Sequence, residues 1–261
     1  MGRELAAAIR SGAAGDASLV ALFDEKGEQA STLSQQIGGS VPYTTVFDGF
    51  VAAAGLHFVV ECASPSAARA YAERVLAGGK DLMMMSSGAL ADLAFLERLT
   101  DLAQEVGRRL IVPSGALGGI DAIKAVRGQL EEVTLTTTKP PRALVGAPGF
   151  KEWEHTEITE PQVVFHGPAL EAISLFPANV NVGATLTLAG IGPHRTMVKV
   201  VADPHSSANV HEVYAVGGFG VLRFRLELRP HPRNPRTSAL AVYSAIETLR
   251  SACSSGPRIG T

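Results

Sequence analysis

With 261 residues, 46% hydrophobic and 18% charged, the chain can build one large domain or two modest ones, each with a buried core. A formal net charge of −2 offers no electrostatic reason for nucleic acid or an anionic membrane as partner. The cysteines, Cys62 and Cys253, are too few for a disulfide framework, and no apolar run approaches the ~20 residues of a bilayer span, so a cytoplasmic protein is expected.

The chain starts on a short amphipathic helix, "GRELAAAIR" (2–10), whose charged residues Glu4 and Arg10 break the apolar run and argue against a signal peptide. "SLVALFD" (18–24) follows as a buried strand, and "EKGEQASTLSQQIGG" (25–39) as a helix closing on glycines. "LHFVVECAS" (56–64) is a further strand, and "PSAARAYAERVLAGG" (65–79) a helix with Pro at its start and Gly at its end. The strand "DLMMMS" (81–86), the helix "LADLAFLERLTDLAQEVG" (90–107) and the strand "RLIVPSG" (109–115) complete this half. Continuous apolar strands alternating with helices predict a parallel sheet covered on both faces, that is, a doubly wound α/β domain over 1–119.

After residue 120 the pattern changes. "LEEVTLTTTK" (130–139) alternates Val133, Leu135 and Thr137 against their neighbours, and "GATLTLAG" (183–190), "TMVKVVADP" (196–204), "VHEVYAVG" (210–217) and "GVLRFRLELRP" (220–230) also suggest strands. The clean alternation of "VLRFRLEL" predicts an antiparallel strand with one wet face. A smaller α/β domain with an open mixed or antiparallel sheet is therefore expected over 120–234. A closing helix follows within 235–261, with Asn234 as its cap and Pro235 at its first position, returning to the first domain.

The first helix raises a specific expectation. In a dinucleotide-binding unit a glycine opens a helix whose N-terminus receives the pyrophosphate, and an acidic residue about 20 positions on accepts from the ribose. Gly2 and Asp24 stand in those two places, while the preceding strand and first glycines have no counterpart. The expectation is a Rossmann-type domain clipped at its N-terminus.

Several separated stretches carry a family likeness: "KDLMMMSSGALAD" (80–92), "LIVPSGALGGIDAIKA" (110–125), "VTLTTTKPPRAL" (133–144), "LFPANVNVGATLTLAGIG" (175–192), "TMVKVVADPHSSANVHEV" (196–213) and "NPRTSALAVYSAIETL" (234–249). In order, and over nearly the whole chain, they resemble L-aspartate dehydrogenase of the type that supplies iminoaspartate for NAD biosynthesis. The resemblance implies a cytoplasmic homodimer that uses NAD or NADP. Its reaction moves hydride from C2 of L-aspartate to the nicotinamide, and the imine hydrolyses to oxaloacetate and ammonia or passes onward.

The resemblance points to His211 as the catalytic histidine, accepting a proton from the amine or from the water that attacks the imine. Such chemistry suits a group titrating near neutrality. His205 in the same loop is its rival, and Asn209, two residues before His211, shares a strand face with it and could orient it.

Cofactor contacts are implied at Gly115 and Ala116 of the "SGALGG" turn and at Asn181. Gly2, Asp24, Cys62 and Ala63 are the candidates from the first domain, although a small buried residue is the plainer reading of Cys62. A substrate with two carboxylates needs cations or N–H donors, for which Lys139, Thr237 and Ser238 are candidates; a solvated strand-end lysine and ordinary helix-start chemistry are the plainer readings. The family commonly carries an acidic residue where "VVFHGPA" has His166. No set of residues has metal-ligand spacing. Two further functions stay open: a non-catalytic paralogue serving as a binding or scaffold protein, and a sister oxidoreductase acting on another amino or oxo acid.

Overall fold

The computed structural model describes residues 1–177, 181–231 and 234–256, with side chains left aside at 230 and 234–237. The described chain divides into two compact units, one comprising Met1–Pro113 with residues 245–256 and the other Ser114–Ser244.

In the first unit α1 (Gly2–Arg10) precedes β1 (Leu22–Phe23), α2 (Gly27–Gln36), β2 (Tyr43–Thr44) and α3 (Phe47–Val51). Then come β3 (Phe58–Glu61), α4 (Pro65–Ala77), β4 (Asp81–Met84), α5 (Leu93–Glu105) and β5 (Leu110–Ile111). The helix starts follow sequence chemistry: Ser64 accepts from the Ala67 amide ahead of Pro65, and Asp92 accepts from the Phe95 amide. All strand pairs are parallel, in two ladders, β1–β2 and β3–β4–β5. Leu82, Met83 and Met84 of β4 are at most 1% exposed, which is why that strand reads as an unbroken apolar run.

Leu5 and Ala14 form one core cluster with Met83 and with Ala245 and Leu249 of the last helix, and Met1, Ile9, Val60 and Ile111 pack against it. The short helix at the chain start thus buries its apolar stripe in the same core as the final helix.

The second unit starts with α6 (Ile120–Ala125) and β6 (Leu130–Lys139), followed by β7 (Gln162–Pro168), α7 (Ala169–Leu175) and α8 (Asn181–Ala189). β8 (Thr196–Ala202), β9 (Asn209–Gly217), β10 (Gly220–Leu228) and a short pair, β11 (Pro230–His231) and β12 (Asn234–Ser238), follow; α9 (Ala239–Cys253) begins in this unit and from Ala245 belongs to the first. Five strands form one mixed sheet in the order β10-β9-β6-β8-β7, with β6 and β8 parallel and the other pairs antiparallel. Val133, Leu135, Thr137 and Lys139 of β6 lie on its buried face with Val198, Val200 and Ala202 of β8 and His211, Val213 and Ala215 of β9.

Two expectations of secondary structure are corrected. "GATLTLAG" is helical, within α8, where Val182 to Thr187 are all buried and Thr187 returns its hydroxyl to the Ala184 carbonyl at 2.7 Å. A helix enclosed all round has no polar face, so its apolar run imitates a buried strand. The last helix starts at Ala239, not at Pro235, because Asn234–Ser238 pairs with β11 and Ser238 supplies the cap, accepting from the Ala241 amide at 3.2 Å.

Candidate active site

In the first unit three of the cofactor candidates converge where parallel strands end. Gly2 is the first residue of α1, and a Cβ placed on it would stand 2.8 Å from Cys62 Sγ. Asp24 directly follows β1, with Oδ1 accepting from the Lys26 amide at 2.8 Å. Burial pushes the Cys62 thiol up to about 11; Glu61 adds to the shift, the Met1 amino group opposes it, and Asp24 adds a smaller push. Such a thiol stays protonated at neutral pH, which makes Cys62 a packing residue and no nucleophile.

Ala63 belongs to a turn that sequence reasoning did not resolve into its parts. The Glu61 carboxylate at the end of β3 accepts from the Ala63 amide at 2.8 Å, the Ser64 amide at 3.1 Å and the Ser86 hydroxyl at 2.9 Å through Oε1, and from the Ser86 amide at 3.1 Å through Oε2. It ties together the segments that leave β3 and β4. The only sequence signal was a carboxylate ending an apolar strand.

These residues fit a dinucleotide. The helix opened by Gly2 runs nine residues, the close approach at Gly2 admits no side chain, and an acidic residue ends the neighbouring strand. Ligands of parallel α/β sheets bind outside the carboxyl ends of the strands, which is where Gly2, Asp24, Cys62 and Ala63 lie.

In the second unit the structure builds a buried polar group on the sheet. Thr137 and His211 are register partners across β6 and β9, and Thr137 Oγ1 lies 3.1 Å from His211 Nδ1. Both are enclosed, at 2% and 4% exposure. Lys139, two residues further on the same face, is 7% exposed, so it is not a solvated strand-end lysine. Burial lowers its ammonium to about 8. Burial also lowers His211 to about 4, with the Lys139 charge as the second cause. The imidazole is therefore neutral throughout the physiological range. His205 by contrast is exposed and stands 3.9 Å from the Glu160 carboxylate, while its amide donates to Asp203.

Asn209 begins β9, half-buried and two residues from His211 on the same strand. Gly115 holds a left-handed φ of 66° and its amide donates to Ser244 Oγ at 3.0 Å. Ala116 after it is buried. The same loop reaches the sheet at Gly118, where a Cβ would lie 3.5 Å from Leu226, the β10 residue paired with His211. Asn181 is the exposed first residue of α8, and Ser238 uses its hydroxyl as the cap of α9. The Thr237 side chain lies outside the described residues, and His166 is exposed on β7. Among the described residues no group of His, Cys, Asp and Glu could hold a metal ion, and no helix is long and apolar enough to cross a membrane.

Sequence reasoning missed Thr137 as a site residue. The alternation of β6 put positions 133, 135, 137 and 139 on one face, but only the pairing with β9 shows that 137 meets a histidine.

Residues 1–113 match the NAD-binding domain of homoserine dehydrogenase, and residues 121–252 match the family described as aspartate dehydrogenase, C-terminal. These matches define a nicotinamide-nucleotide-dependent dehydrogenase.

L-aspartate dehydrogenase from Nitrosopumilus maritimus is 41% identical over 100% of this chain and 96% of its own. The enzyme of that name from Methanocaldococcus jannaschii is 42% identical over 93% and 89%. The crystal structure of aspartate dehydrogenase from Thermotoga maritima superposes with a TM-score of 0.72 at 29% identity, covering 93% of this chain and all of that one. The chain belongs to the L-aspartate dehydrogenase family.

Proposed function

We propose that this protein is an NAD(P)-dependent L-aspartate dehydrogenase acting as a cytoplasmic homodimer. The reaction removes hydride from C2 and a proton from the α-amine of L-aspartate, forming the C=N bond of iminoaspartate; water then adds to the imine and ammonia leaves, giving oxaloacetate. The observation that carries this reading is a neutral, buried imidazole beside a buried ammonium on one sheet face, in a chain of this family.

The nicotinamide supplies the hydride acceptor when bound. The residues that would hold the dinucleotide are Gly2, Asp24, Cys62 and Ala63 in the first unit, and Gly115, Ala116 and Asn181 in the second. Asp24 favours NAD, because its carboxylate accepts from a ribose 2′-hydroxyl and repels a 2′-phosphate.

His211 takes the proton released as the C=N bond forms, or the one released by the attacking water. Lys139 binds a substrate carboxylate: an ammonium held away from water gains more from an anionic partner than an exposed one does. Pairing Lys139 with that carboxylate also offsets the charge that depresses His211, so an occupied site has a stronger base than an empty one. Asn209 steadies the substrate or the imidazole from the same strand. For Ser238 helix capping is the favoured reading.

The test is nicotinamide reduction followed with L-aspartate, L-glutamate and L-alanine, with NAD and with NADP. Turnover specific to L-aspartate is expected. His211→Ala lowers it roughly 10²–10⁴-fold, the range for losing an acid–base group. Turnover only with another acid replaces the substrate assignment, and folded protein inactive with all three replaces the enzyme reading by a binding role.

A further inference from the structure

His211 has one ring nitrogen engaged and one left over. Nδ1 is 3.1 Å from Thr137 Oγ1, and no other residue is described as bonding that hydroxyl. Nε2 is not an enclosed orphan either: among the described residues the only enclosed side-chain nitrogen or oxygen without a partner is Thr196 Oγ1. The residues nearest His211 in the sheet are Thr137 opposite on β6, with Lys139 two residues further along it, Leu226 opposite on β10 and Val213 on its own strand. The one described charge acting on the ring is Lys139. Among the described residues Thr137 makes the side-chain hydrogen bond to the ring, so it is the contact that can fix the rotation of the imidazole and the nitrogen presented.

We propose that Thr137 is a positioning residue: it anchors Nδ1 so that Nε2 is the nitrogen that meets the substrate, and it holds the ring in place through the whole proton cycle. The inference rests on the reading of His211 as the proton-accepting group. For Nε2 to accept, Nδ1 must carry the ring hydrogen, and the threonine oxygen is placed to accept it.

A hydroxyl is suited to this work in a way that a carboxylate is not. It can donate to bare Nδ1 or accept from Nδ1–H, so the bond survives a change of tautomer or of charge. A carboxylate in that place would accept only, and its charge would raise the imidazole far from the low range that burial sets. The site is also rigid, because Thr137 lies in mid-strand, β-branched, on a fully paired ladder between β8 and β9. Serine keeps the hydroxyl with less stiffness. Valine keeps the shape and removes both donor and acceptor.

The experiment compares Thr137→Val, Thr137→Ser and His211→Ala in the full chain, with steady-state rates against pH and ¹⁵N NMR of the histidine ring. Thr137→Val is expected to lower kcat roughly 10–100-fold, the loss of one buried hydrogen bond to a working group, and to leave the KM for NAD unchanged. Thr137→Ser is expected to restore kcat to within about threefold. The His211 ring nitrogens are expected to change their hydrogen-bonding signature in Thr137→Val and to keep it in Thr137→Ser.

If Thr137→Val keeps wild-type kcat and pH profile while His211→Ala is inactive, Thr137 has no positioning role although His211 stands. If His211→Ala itself keeps turnover, the underlying assignment fails first and the inference with it. Should Thr137→Val not fold, the wild-type spectrum decides alone: Nδ1 bearing the signature of a hydrogen-bonded nitrogen supports the anchor, and an unbonded Nδ1 overturns it.

Discussion

Gly2 lies so close to Cys62 that a methyl group in place of its hydrogen would come within 2.8 Å of the sulfur. The first helix can therefore approach the end of β3 only if position 2 is bare. Gly2→Val is expected to destabilise the fold by about 1–3 kcal/mol, as overpacking does, and to weaken NAD binding. Cys62→Ala in the same chain makes room and should recover most of both losses. Thermal unfolding and cofactor titration of the single and double variants check the pair; a Gly2→Val chain as stable as the parent would refute the close approach.

Glu61 is expected to act through the backbone it holds. Its carboxylate serves the amides of Ala63, Ser64 and Ser86 and the Ser86 hydroxyl. Glu61→Ala strands these partly buried donors and should cost on the order of 3 kcal/mol, seen as a lower denaturant midpoint. The KM for NAD should rise while the KM for L-aspartate holds, because the affected turn is the one proposed to meet the cofactor.

Asp24 offers the test of nucleotide choice. Its Oδ1 is occupied by the Lys26 amide, and Oδ2 is left for a ribose hydroxyl. Asp24→Ser is expected to raise the ratio of kcat/KM with NADP to that with NAD by roughly tenfold or more, since a negative charge facing a 2′-phosphate is removed. An unchanged ratio would take Asp24 out of the nucleotide site.

Lys139→Met keeps the length of the side chain and discards its charge. The kcat/KM for L-aspartate is expected to fall about 100-fold, the value of a charge-assisted bond to carboxylate, with NAD affinity unaffected. Loss of NAD affinity alone would assign Lys139 to the cofactor instead.

The buried imidazole predicts a pH dependence of stability with a definite sign. Burial, with the Lys139 charge second, pushes His211 down to about 4 in the folded protein from the 6.5 of a free imidazole. Between those values the unfolded chain binds a proton that the folded one refuses, so stability is full above pH 6.5 and is lost as the pH falls toward 4. The loss attributable to His211 is on the order of 3 kcal/mol at most. His211→Gln should flatten that part of the profile when unfolding midpoints at pH 5 and pH 7 are compared with those of the parent.

Much of the fold was legible in the residues themselves. Local rules place a helix start at Pro65, because Ser64 can cap it without help from distant parts of the chain; the next helix, read from residue 90, starts at Leu93, where Asp92 caps it. Period-two alternation puts Val133, Leu135, Thr137 and Lys139 on one face of β6 wherever the strand packs. Gly2 and Asp24 could be singled out as candidates because a helix-opening glycine and a strand-ending acid stand at the interval that a dinucleotide-binding unit uses.

Only the tertiary structure decided the rest. Whether "GATLTLAG" is helix or strand depends on its being enclosed on every side, which erases the periodicity that separates the two. That Lys139 is buried, that Glu61 gathers donors from two strand ends, and that Thr137 faces His211 all depend on the pairing of segments far apart in sequence. Alternation tells which face a side chain takes. The register that chooses its neighbour is set by packing of the whole sheet, and no local pattern encodes it.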